Sequence, residues 1–267
     1  MKLKQYQVSA FSAEAFAGNP AAVVPLHDWL PDETLLAIAA ENNLSETAYF
    51  RPEGDAYGLR WFTPTVEVEL CGHATLATAH VLFSELAYTG ATIRFNTVHS
   101  GELLVSQDEQ GICLDLPAHT VSAVPIDASI AAALGGEPVA AYEAPSWVYE
   151  FASAADIQKL LPDLKALNSA TPLPVIVTAP AEPGSDDDFV ARFFGPQVGV
   201  DEDPVTGSAY CALMPLWASQ DKLGKQRLNA RQLSARGGEV VCELRGDRVL
   251  LWGRARTFLR GSIDIPG

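Results

Sequence analysis

The sequence predicts a chain of mixed strands and helices folded as two similar lobes, and three observations carry that reading. The length of 267 residues accommodates one large domain or two modest ones, and either buries a real core. Strand-like and helix-like stretches alternate along it with no low-complexity linker. The chain also echoes itself. Arg60-Trp61-Phe62-Thr63-Pro64 resembles Arg192-Phe193-Phe194-Gly195-Pro196, and each segment leads through an acidic turn to a helix of small apolar residues. Those helices open as Gly72-His73-Ala74 and Gly207-Ser208-Ala209, so the repeat extends over strand, turn and helix. Pro117 and Pro125 frame the polar crossover between the halves.

Taken in order, residues 5–11 alternate as a strand, and a short strand ends at Val23-Val24 after the turn-forming Gly18-Asn19-Pro20. Pro31-Asp32-Glu33 opens an apolar-periodic helix to about Asn42, with proline and acids where a helix start favours them. Ser45 to Phe50 and Gly58 to Phe62 read as strands. Residues 72–86 are apolar on nearly every side, the mark of a buried helix rather than a surface one. Strands follow at 92–95, 102–106 and 112–116. The second half repeats the order: strands near 147–151, 174–178 and 188–195, then a near-apolar helix at about 207–219. Pro215 inside that helix predicts a kink or an early end. Short strands at 231–234, 239–244, 248–253 and 257–265 complete the chain, and 180–188 is a solvated acidic loop.

Charge narrows the function. The 33 acidic against 18 basic side chains give a formal −15, a field that repels phosphate backbones and anionic lipid, so neither nucleic acid nor membrane is an expected partner. No apolar run approaches the roughly 18 residues of a membrane span, and the start has no signal-peptide core. Cys71, Cys113, Cys211 and Cys242 are scattered without a C-x-x-C pair, which suits reduced thiols in a cytoplasmic protein and assigns no metal.

Three stretches are candidates for chemistry. In Leu44-Ser45-Glu46-Thr47, Glu46 reads either as an exposed strand-edge residue or as a general base held in a partly dry site. In Cys71-Gly72-His73-Ala74, small residues at a helix start let an anionic ligand approach free backbone N–H groups. His73 beside them could polarise that ligand; the structural alternative is a tight turn at Gly72 and a satisfied core histidine. His80 shares the face of His73 two turns deeper and reads as structural. In Asp203-Pro204-Val205-Thr206-Gly207-Ser208, Asp203 or Thr206 is an ordinary N-cap, or else Ser208 is the counterpart of His73. On the duplication reading the two helix starts face each other across a cleft, a trap for a carboxylate. Nothing here forms a phosphate loop or G-x-G-x-x-G.

At these residues the sequence resembles the PhzF family, the phenazine-biosynthesis-like isomerases of the diaminopimelate epimerase/proline racemase fold. The resemblance runs through Phe16-Ala17-Gly18-Asn19-Pro20-Ala21-Ala22, Leu44-Ser45-Glu46-Thr47-Ala48, Arg60-Trp61-Phe62-Thr63-Pro64, Cys71-Gly72-His73-Ala74-Thr75 and Glu202-Asp203-Pro204-Val205-Thr206-Gly207-Ser208-Ala209. It implies an α+β chain of two lobes, each a mostly antiparallel, barrel-like sheet around a central helix. The expected division is 1–118, completed by a final strand at about 258–267, and 119–257. The resemblance further implies that Glu46 is the acid/base, that His73, Asp203 and Ser208 contact and polarise the substrate, that no cofactor is used, and that the protein is a homodimer. Asn19, Ser45, Gly72 and Gly207 are the expected substrate-binding residues.

The expected reaction is a cofactor-independent isomerisation of a small carboxylate-bearing metabolite. Glu46 removes a proton from an activated carbon and returns it at another, while helix N-termini, Ser208 and His73 stabilise the developing charge. Related racemases use two opposed cysteines at helix starts. Here Cys71 occupies the first place, Pro204 and its neighbours stand near the second, and Cys211 lies inside the second helix. A racemase or epimerase, and a non-catalytic metabolite-binding protein, are the alternatives.

Overall fold

The computed structural model describes residues 1–265; the last two residues of the strand expected at 258–267 lie outside the described residues. The chain divides into two compact units, Met1–Asp115 with the segment returning from Trp252, and Leu116–Leu251. The return therefore starts ahead of the expected position 258, and the first division falls at Asp115 where the sequence reading has 118.

In the first unit β1 (Lys2–Ala10) runs antiparallel to β2 (Asn19–Pro25). The crossover helix α1 (Asp32–Asn42) lets β3 (Glu46–Glu53) lie parallel to β2, and β4 (Ala56–Phe62) returns antiparallel to β3. The short β5 (Glu67–Val68) hairpins back on β4 before α2 (Gly72–His80). Beyond α2, β6 (Thr92–Thr97) is parallel to β4, and β7 (Glu102–Asp108) and β8 (Gly111–Pro117) follow as an antiparallel meander. The final strand, Ala255–Asp264, pairs with β1.

Helix α2 is the centre of this unit. It packs against β1, β2, β3 and the final strand, and every residue from Gly72 to Ala79 is buried. Glycine, alanine and threonine let a helix approach sheet backbones closely on all sides. The two threonines satisfy their buried hydroxyls within the helix, Thr75 Oγ1 donating to Cys71 O at 2.6 Å and Thr78 Oγ1 to Ala74 O at 2.8 Å. The helix predicted over 72–86 is α-helical only to His80; Val81–Glu85 widens into a π turn, with Leu86 N–H on Val81 O at 3.0 Å. Outside, α1 lays Leu35, Ile38 and Ala39 on Val24, Tyr49 and Phe62.

The second unit repeats the ladder. After β9 (Ser122–Val124) and α3 (Ala128–Leu134), β10 (Ala140–Glu143) is antiparallel to β11 (Trp147–Glu150). Helices α4 (Ala154–Lys159) and α5 (Leu164–Ala170) form the crossover to a parallel β12 (Val175–Pro180). β13 (Phe189–Gly195) is antiparallel to β12, carries the hairpin β14 (Val200–Asp203), and lies parallel to β15 (Arg227–Gln232), which β16 (Gly238–Arg245) follows antiparallel. Pair for pair this is the order of β1 to β7, so the chain is an α+β fold of two similar lobes. The segments read as acidic turns are partly strands: Glu67 lies on β5, Glu202 and Asp203 on β14.

The buried helix of this unit is α6 (Tyr210–Ala218), entered through a single 3-10 turn, Gly207–Ala209. It passes through Pro215 and ends at Ala218. Proline cannot supply the N–H that the carbonyl four residues back would accept. That carbonyl, Cys211 O, accepts instead from His119 N–H at 2.8 Å.

Candidate active site

Three elements of the first unit bring one cluster together. Because β2 and β3 are parallel, both start at the same sheet edge, and Ala21 is paired with Glu46. Asn19 opens β2 and Glu46 opens β3. The first turn of α2 reaches the same edge and delivers His73. The loop into β2 depends on Gly18, at φ +71°, where a Cβ would stand 2.3 Å from Ala10 O.

His73 is the hub. Its Nε2 is 3.0 Å from Glu46 Oε2, an ion-pair contact in which the Glu46 side chain is only 14% exposed. Its Nδ1 is 3.1 Å from Asn19 Nδ2 and 3.5 Å from Cys71 Sγ. Asn19 is fully buried, and its Oδ1 accepts a long 3.5 Å hydrogen bond from the Ser45 hydroxyl. In the neutral ring the Asn19 N–H donates to Nδ1, which leaves the ring proton at Nε2, 3.0 Å from the carboxylate oxygen. Burial opposes a second proton on His73, but the Glu46 carboxylate 3.0 Å away outweighs it and holds the imidazole pKa above its usual value. Burial, reinforced by the Glu46 carboxylate, pushes the Cys71 thiol up to about 11. Cys71 is therefore a neutral thiol near neutrality and not a ready thiolate.

This arrangement can hold a carboxylate beside a proton donor in a mostly dry site at a helix start. The same three groups could also ligate a metal ion, since donor atoms of Glu46, Cys71 and His73 lie within 4.8 Å of one another. The four cysteines are buried.

The remaining predicted residues belong to the second unit. Asp203 ends β14 and is buried, Gly207 opens the 3-10 turn, and Ser208 follows it, exposed. Thr206, at the N-cap position of that turn, makes no capping bond with its side chain. Instead the Thr206 hydroxyl donates to the Asp203 carboxylate. Gln232 fastens both residues, accepting from Thr206 N–H at 2.9 Å and donating to Asp203 O at 2.8 Å. Gln232 escaped the sequence reading, because a lone glutamine on β15 carries no local signal. His80, read as structural, holds Thr257 Oγ1 at 2.9 Å.

Comparison with known proteins identifies the family. The family model of phenazine biosynthesis-like proteins, PhzC-PhzF, matches residues 8–261. The chain belongs to the PhzF family. It is similar to an uncharacterized isomerase of Pseudomonas aeruginosa, 46% identical over 99% of this chain and 100% of the relative. The crystal structure of a PhzF-family phenazine biosynthesis protein from Enterococcus faecalis superimposes with a TM-score of 0.94 at 42% identity, covering 99% of this chain and 100% of that one. A hydroxyproline epimerase from Agrobacterium vitis shares the fold, with a TM-score of 0.62 at 10% identity over 98% of this chain and 92% of its own. Among the described residues of this PhzF-family chain, no helix is long and apolar enough to cross a membrane.

Proposed function

We propose that this isomerase moves a proton between carbons of a small carboxylate-bearing metabolite without a cofactor, with Glu46 as the acid/base. The observation that carries the reading is the 3.0 Å contact between Glu46 and His73 at the start of a buried helix. Glu46 takes the proton from a carbon activated by a neighbouring unsaturated group. His73 and the dipole of the α2 start stabilise the charge that develops. Protonated Glu46 then delivers the proton to the second carbon, so atoms and charge balance with no co-reactant. Asn19 and Ser45 set the orientation of His73 and lie beside the substrate, with Gly72 keeping the helix start open. Asp203, Gly207 and Ser208 contact and polarise the substrate in the role that family membership suggests. The enzyme works as a cytoplasmic homodimer.

The racemase alternative lacks a second thiol. In the register that aligns Gly72 with Gly207, Thr206 stands where Cys71 does, and its hydroxyl is engaged with Asp203. Cys211 is buried within α6, where burial pushes its thiol up to about 12.

Incubation of the enzyme with a pool of cellular carboxylic acids in D₂O, followed by mass spectrometry and NMR, tests the proposal. One compound should gain deuterium at a carbon that bore none before, with its double bond shifted. Deuterium with inversion at a single stereocentre would replace the proposal by an epimerase. Tight binding of an acid without exchange would replace it by a binding protein.

A further inference from the structure

Charge pairing in this acidic chain is extensive. Arg51 is held by Asp28 and Glu53, Arg94 by Asp55 and Glu102, and Arg260 by Glu85. Arg254 and Arg256 stand apart. Among the described residues neither makes an ion pair, although the formal charge is −15; the Arg256 side chain donates to Ala13 O at 3.3 Å. Arg254 links the strand Arg248–Gly253 to the final strand, of which Arg256 is the second residue. Both line the same pocket, about 330 Å³ in volume, with His80, Ser84 and Gln107.

The acids nearby leave that charge unmatched. Glu85 is taken by Arg260, at 2.6 and 2.7 Å, and by the Thr257 hydroxyl. Glu14 shares a neighbouring hollow with Arg256 but makes no ion pair with it among the described residues. Gly111 and Gly253 also line the pocket; Gly111 sits at φ +137°, and a Cβ there would lie 2.6 Å from Gly253 O and 3.6 Å from Arg254 Cγ. The wall is the π turn that ends α2, a departure from helix geometry that often marks a functional position. There Ser84 Oγ lies 3.5 Å from His80 Nδ1. The Thr257 hydroxyl donates to Glu85, so the ring proton of His80 sits on Nε2, and burial keeps the imidazole below its usual pKa. The arginines alone thus supply the positive charge.

We propose that this pocket binds a phosphoryl group, free or carried on a small metabolite, between Arg254 and Arg256, with Ser84 and Gln107 completing its hydrogen bonds. Two unpaired guanidinium forks match the two charges and several acceptor oxygens of a phosphate dianion; a single carboxylate would leave one fork unmatched. The site uses no residue of the Glu46–His73 cluster and does not depend on the reaction proposed there.

Calorimetric titration of the full chain with inorganic phosphate and with glycerol 1-phosphate, at ionic strength held constant with sodium chloride, tests it. Binding should be present in the wild type and in Glu46→Gln, and about tenfold or more weaker in the Arg254→Ala/Arg256→Ala double variant. Thermal unfolding in phosphate-free buffer should stay close to wild type in that variant, since neither arginine is in an ion pair among the described residues and the Arg256 bond to Ala13 O is long and exposed. If the double variant fails to fold, Arg254→Lys/Arg256→Lys, which keeps the charge and removes the forks, should show the weakening. Tighter binding of the ester assigns the site to a phosphorylated metabolite, and equal binding assigns it to free phosphate. No phosphate-specific heat in the wild type, or equal binding in the arginine variants, would overturn the proposal.

Discussion

At β4 and at β13 the same three side chains meet in the same way. Arg60 grips Glu67 through two hydrogen bonds of 2.7 and 2.6 Å and lies 5.0 Å over the Phe62 ring. Arg192 grips Glu202 at 2.7 and 3.0 Å and lies 4.8 Å over the Phe194 ring. Each fork ties a long strand to a short hairpin strand just before a buried helix. One turn into those helices the likeness ends. α2 starts directly as an α-helix and carries a buried histidine against a carboxylate; α6 is entered by a 3-10 turn with an exposed serine. The repeated unit keeps its clamp and differs at the helix starts, to which the proposed function assigns the chemistry. On that proposal the clamp is scaffold and the asymmetry between the helix starts is what matters for turnover.

Breaking the helix starts gives the largest effects. His73→Gln removes the group facing Glu46 and should lower turnover about 10²–10³-fold, as loss of one charge-stabilising donor does. Ser208→Ala removes one exposed hydroxyl and should cost about tenfold, roughly one hydrogen bond. Steady-state rates on the substrate found by deuterium uptake check both, and equal losses would erase the distinction drawn between the two starts.

Breaking the clamps tests the scaffold. Arg192 also donates to Ile157 O and Leu160 O at 2.9 and 3.0 Å, holding the end of α4. The further partner of Arg60 is the exposed Asp32. Arg192→Ala should therefore cost about 3 kcal/mol and Arg60→Ala about 2 kcal/mol, both discounted from a fully buried pair because the carboxylates keep partial exposure. Urea unfolding reads the order, and a reversed order would contradict it.

The smallest effect is electrostatic and belongs to the first helix start alone. The pKa of His73 is raised in the folded protein, so its contribution to stability is complete below the unfolded histidine value of about 6.5 and is lost as pH rises through the folded value. The thermal-midpoint advantage of the wild type over His73→Gln should be greatest near pH 6 and shrink toward pH 9. An advantage that grew with pH would place the shift in the opposite direction.

Much of this was legible in the sequence because it was written in local terms. Small residues spaced along 72–86 and 207–219 announced two buried helices, and the Arg60 and Arg192 segments announced the repeat. Helices α3, α4 and α5 were passed over. They are six or seven residues long and lack a strong apolar period, although Asp127, Ser153 and Asp163 cap them by accepting backbone N–H bonds. Non-local facts left no trace. That Cys211 O finds His119 N–H, or that Gln232 fastens Asp203 and Thr206, depends on how distant strands are brought together. Glu46 was readable as a candidate, but its nearness to His73 follows from the parallel pairing of β2 and β3.

The central claim is that the carboxylate at the start of β3 carries the proton. Solvent deuterium uptake by the substrate, measured side by side for the wild type and Glu46→Gln, tests it most directly. The amide keeps the shape of the side chain and cannot take up a proton, so exchange and turnover should fall about 10²–10⁴-fold while substrate binding and the unfolding midpoint stay close to wild type. Exchange at the wild-type rate in Glu46→Gln would contradict the claim and move the base to another residue.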